Sequence, residues 1–126
     1  MSLSLYDCSV TAYQQVLGGV KTALAKAVAH SEETDLDLQS VVDFRLHEDM
    51  LPFSFQVISV WHHSLGALKG LQAGVFEPPP AMDPLDFAGL QGLVDEAMAF
   101  CAAQTPEAVN ALAEGPMVFR VRGREM

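Results

Sequence analysis

The sequence is poor in several things, and each shortage excludes a class of protein. It has only two cysteines, Cys8 and Cys101, too few for a disulfide framework, and it has no Cys-x-x-Cys pair. Basic residues number 7 against 16 acidic ones, a formal net charge of -9. Such a surface repels phosphate backbones, so nucleic acid is not an expected partner. Aromatic residues make up 8%, which leaves core packing to aliphatic side chains and alanine. No apolar run approaches the roughly 18 residues of a membrane span. The first residues lack the positive region and apolar stretch of a signal peptide, so no membrane association and a cytoplasmic location are the expectation. There is no glycine-rich phosphate loop, no nucleophile elbow and no His-x-x-x-His pair.

What the chain does contain is helical periodicity. From Leu5 to Glu33, apolar residues recur at Tyr6, Val10, Tyr13, Leu17, Val20, Leu24 and Ala27, in steps of three and four. Ser4 is placed to cap this helix, and Asp7 suits its positive end. Gly18 and Gly19 interrupt it, which points to either a close helix crossing or a kink. Cys8 lies near the helix start, where a thiolate is favoured, but the plain reading is an unreactive thiol. Cys101 falls on an apolar stripe and reads as a small core residue.

The stretch from Thr34 to Met50 reads as a connector. Asp37 caps a short turn through Leu38, Val41 and Val42, and Phe44 and Leu46 are expected to tuck against the body. A second long helix is predicted from Pro52 to Ala73, with Phe53, Val57, Val60, Ala67 and Leu71 inward and Ile58, Trp61, Leu65 and Leu68 flanking them. Gln56, Ser59, His62, Gly66 and Lys69 form its polar strip, and Gly74 stops it. Pro78, Pro79 and Pro80 mark a stiff crossover. A third long helix is predicted from Leu85 to Gln104, striped by Phe87, Leu90, Val94, Ala97 and Cys101. Thr105 and Pro106 then restart a short helix. Met117 to Arg124 alternates like a strand for which the sequence offers no partner. Arg120, Arg122 and Arg124 read as a frayed, solvated tail.

Some residues resemble a known family. The opening Ser2-Leu3-Ser4-Leu5-Tyr6-Asp7, His30, the block Arg45-Leu46-His47-Glu48-Asp49-Met50-Leu51-Pro52 with trailing Gln56-Val57, then Gly74 and Pro78-Pro79 make the chain similar to a bacterial DUF1993-like domain of unknown function, among the DinB/YfiT-like bundles. The resemblance covers residues 1 to about 104. It implies an all-α, up-down helical bundle, here a single domain over 1–126, with three long helices, short helices and a C-terminal extended segment. Relative to the family the chain is expected to be truncated after about 104–116, without the fourth long helix.

In the wider superfamily three histidines often hold a divalent metal. The resemblance carries that role onto His62 or His63, with His30 and His47 as helpers and Glu48 or Asp49 as carboxylate partners. The plainer reading leaves the histidines solvated or hydrogen-bonded and gives Asp49 to capping the second helix. Asp95 and Glu96 read as solvated face residues.

Three amphipathic helices leave a groove where a fourth would pack, and soluble monomers rarely expose so large an apolar patch. The expectation is therefore a homodimer through that groove, with the 117–122 strands pairing across a twofold axis. Its function is then that of a non-catalytic binding or assembly module with no catalytic residue, no cofactor and no specified small-molecule ligand. The alternative is a zinc- or nickel-dependent enzyme of the thiol transferase or isomerase type, its site completed at the dimer interface. A third reading makes the chain a truncated, marginally stable relative.

Overall fold

The computed structural model describes residues 2–126. The first rod is a π-helical turn, Asp7–Thr11, running directly into α1 (Ala12–Thr34). Ser4 caps it as the sequence predicts: its hydroxyl accepts from the Asp7 amide at 3.1 Å, while the Asp7 carboxylate accepts from the Ser4 amide at 3.4 Å. The rod ends at Asp35, whose φ of 56° is left-handed. A short α2 (Leu38–Val42) follows, capped by the Asp37 side chain on the Gln39 amide.

The second rod is α3 (Phe53–Trp61), a second π-helical turn (His62–Gly66) and α4 (Ala67–Ala73), ended by Gly74 at φ 76°. Asp49 does not cap this rod, contrary to the sequence expectation. Its carboxylate pairs with His47, and Pro52 occupies the N-cap with no side-chain cap bond. The first free amide, Phe53, instead donates to the Phe44 carbonyl at 2.8 Å.

After β1 (Val75–Phe76) the proline-rich crossover leads to α5 (Phe87–Ala102), capped by Asp86 on the Gly89 amide at 2.7 Å. Then come α6 (Pro106–Asn110), β2 (Val118–Val121) and β3 (Arg124–Glu125). Asn110 ties α6 to the start of the first rod by accepting from the Tyr6 amide at 2.9 Å.

The first and second rods are antiparallel, as an up-down bundle requires. The third departs from strict alternation. Lys69 lies over the Phe100 ring and Gln72 donates to Gln104, so α5 runs parallel to the second rod. The crossover makes this geometry by carrying the chain back along the bundle before α5 begins. α5 packs against both other rods and forms the spine of the core. Its predicted stripe is the one observed: Phe87, Leu90, Val94, Ala97 and Cys101 are all buried, meeting Leu17, Leu24, Val57, Leu65 and Leu68. Each fully buried aliphatic side chain here contributes about 1.5–3 kcal/mol.

The fold is mostly helical rather than all-α, because the C-terminal segment makes a three-stranded sheet of order β1-β2-β3. β2 pairs parallel with β1 (Val75 opposite Val118) and antiparallel with β3 (Arg120 opposite Glu125). Arg122 and Gly123, at φ 50° and 77°, form the two-residue turn that this twist favours. The strand therefore finds both partners in its own chain, and the expected pairing of strands between copies has no free edge on β2. The tail is also not frayed: Arg120 donates to Glu125 at 2.7 Å and to Glu77 at 3.2 Å, tying it to the crossover.

Phe44 and Leu46 do not tuck inward. They are 59% and 80% exposed, and Val42 is the connector residue that is buried instead.

Candidate functional site

The second rod's wide apolar arc divides. Val57, Leu65 and Leu68 face α5 and are buried. Val60, Ala67 and Leu71, predicted to point inward, face the opposite way and line an open trough between the first and second rods. The first rod divides similarly: Leu17 reaches the core, while Tyr13 and Val16 form the trough wall, Val16 being 56% exposed.

The trough holds two hollows meeting at Tyr13 and His63, which line both. One, of about 330 Å³, is bounded by Val16, Gln56, Ser59 and Val60. The other, of about 390 Å³, is bounded by Leu5, Cys8, Leu71, Phe76 and Met117 at the end where the sheet sits. Among the residues lining both hollows there is no Asp, Glu, Lys or Arg. In a chain of net charge -9 that is a strongly selective exclusion of charge.

The two π-helical turns face each other across the trough, and periodicity reading missed both. A π turn breaks the regular ladder. A serine lies in each turn and donates back to the carbonyl four residues before it, as Thr22 and Thr34 do in regular helix. Ser9 donates to the Leu5 carbonyl at 2.6 Å, and Ser64 to the Val60 carbonyl at 2.7 Å. Both serines are buried, an unusual place for a hydroxyl.

The turn His62–Gly66 also settles where the adjacent histidines point. His62, expected on the polar strip, is buried: its Nε2 lies 2.6 Å from the Glu77 carbonyl and its ring stacks on Phe76 at 4.8 Å. Gly66 is required beside it, since a Cβ there would lie 2.8 Å from His62 Nδ1. His63 is exposed in the trough, with Nδ1 2.8 Å from the Ser59 carbonyl, so Nε2 is its uncommitted nitrogen. The two rings meet edge to face at 5.4 Å. His30 lies 17 residues beyond Tyr13 on the first rod, about 25 Å along it at helical rise. His47 is exposed on the connector, paired with Asp49.

Among the described residues, no three His, Cys, Asp or Glu side chains gather where they could hold a metal ion. The donors of a single chain therefore do not fit the three-ligand set that the resemblance implies. Cys8 is exposed on the trough wall, whereas Cys101 is buried and burial raises its thiol pKa. Burial, and then the neighbouring Cys101, likewise raise the pKa of Tyr13. No helix among the described residues is long and apolar enough to cross a membrane.

A mostly helical bundle with one uncharged trough open along its length is the class that fold and site define. The chain belongs to the family described as Domain of unknown function (DUF1993), whose model matches residues 5–126, beyond the limit of about residue 104 given to the resemblance. No curated protein and no solved structure matches it.

Proposed function

We propose that this protein is a non-catalytic binding and assembly module that self-associates, burying the trough of one copy against another. The observation that carries the reading is the uncharged trough taken with the size of the surface. A compact monomer of 13.6 kDa exposes about 6,600 Å². This chain exposes 8228 Å². The excess, about 1,600 Å², is of the order each subunit of a stable homodimer buries. A face without charge also spares two acidic chains their mutual repulsion where they touch, and interface cores are in general depleted of charged residues.

Light scattering at micromolar concentration tests it: a dimer is expected, converted to monomer by Val16→Asp, which places a carboxylate on the trough wall. Cys8 provides an independent reading. Maleimide should label it slowly in the native protein and rapidly in Val16→Asp. A monomeric native protein with a freely reactive Cys8 would overturn the proposal.

One observation favours a second reading, a metal-dependent enzyme of the DinB-like kind completed between copies. His63 sits at the middle of the trough with Nε2 uncommitted, where an imidazole from another copy would face it. Stoichiometric zinc or nickel retained through purification and lost in His63→Ala would establish that reading. Metal content unchanged by His63→Ala would remove it.

A further inference from the structure

The two ends of the molecule differ in a way that selects one orientation for the assembled form. The connector end carries apolar side chains inside an acidic surround. Half of the exposed large hydrophobic residues lie between Leu36 and Phe55, Leu46 being the most exposed of these at 80%. Around them, residues 32–49 contain seven acidic side chains and one basic, Arg45. The sheet end is balanced instead: Arg120, Arg122 and Arg124 follow Met117 in the chain, and Asp7, Glu77 and Glu125 lie at the same end. Arg120 is held by Glu125 and Glu77, but Arg122 and Arg124 have no ion pair among the described residues.

The second rod separates these ends by 21 residues, about 30 Å. His63, shared by both hollows, lies at its midpoint. A twofold axis through the trough near His63, perpendicular to the rods, would reverse one copy relative to the other.

Resting on the self-association proposed above, we infer that the copies pair antiparallel, the connector end of each seated on the sheet end of the other. Leu46 and Met50 then cover the partner's apolar hollow, and the acidic connector faces the unpaired Arg122 and Arg124. A parallel pair would stack acidic connector on acidic connector and arginine on arginine. It would also leave the exposed connector hydrophobics without the sheet-end hollow to fill. Opposite potentials set orientation and register in this way.

The native Cys8 on the wall of the sheet-end hollow makes the orientation measurable. In Leu46→Cys, mild oxidation with diamide should give a covalent dimer on non-reducing gels, abolished by adding Cys8→Ser. Separately, Arg122→Glu should weaken dimerisation by about tenfold, and Glu48→Arg should restore it in the double variant. A covalent dimer that persists in Leu46→Cys/Cys8→Ser would mean that like ends meet, which overturns the antiparallel arrangement. So would a dimer by light scattering that gives no crosslink and ignores Arg122→Glu; in both cases self-association itself stands. A chain that remains monomeric by light scattering overturns both the orientation and the reading beneath it.

Discussion

Individual side chains here divide sharply between those that hold the fold and those that face outward without a fold-level reason. Leu90 is completely buried on α5, and Leu90→Ala should cost about 2–5 kcal/mol in denaturant unfolding. Leu46→Ala should change the stability of the monomeric Val16→Asp background by no more than about 0.5 kcal/mol. Gly18 and Gly19 are neither a crossing nor a packing device, since a Cβ at either position would meet nothing. Gly19→Ala should therefore raise stability by about 1 kcal/mol, seen as a higher melting temperature. Tyr13 and Cys101 predict the alkaline limit. Burial raises both pKa values above their ordinary 10.0 and 9.0, so the folded state retains protons that the unfolded state releases. The stability they contribute is complete below pH 9.0 and lost as pH climbs through their folded-state values. In Cys101→Ala, melting temperature measured against pH should fall later and less steeply.

At the scale of elements, most caps were legible, Asp49 being the exception, and interruptions were not. Ser4, Asp37, Thr105 and Gly74 stand where their chemistry places them, each meeting a local need that the next few residues already reveal. The π turns escaped because periodicity is read on a regular 3.6-residue helix, and one inserted residue swings the stripe to another face. That shift displaces Leu71, beyond the second turn, relative to Val57 before it, whereas Val60 precedes the turn and reaches the trough by the width of the apolar arc. Ser64→Ala removes the side-chain bond to the Val60 carbonyl and should cost about 0.5–1.5 kcal/mol. Exchange at the amides of residues 62–66 should accelerate more than elsewhere on the second rod.

For the whole molecule, the arrangement of rods leaves the trough open, with an acidic connector at one end and two arginines without an ion pair, Arg122 and Arg124, at the other. The proposed assembly then has a distinct salt signature. Burial of an uncharged trough is insensitive to ionic strength, whereas contacts between connector and sheet end are screened. Sedimentation should show a dimer that weakens only modestly between low and high salt. In the Arg122→Glu variant that dependence should reverse sign, because salt would then screen repulsion.

The sequence by itself determined the three rods, the buried stripe of α5, the caps, the proline-rich crossover and the family, because each is written in local chemistry or short-range spacing. It did not determine that α5 lies parallel to the second rod or that β2 pairs within its own chain. Nor did it determine which half of each apolar arc is covered. Those outcomes depend on residues far apart in the chain competing for the same surfaces, and a stripe on one helix carries no statement of which neighbour will reach it first.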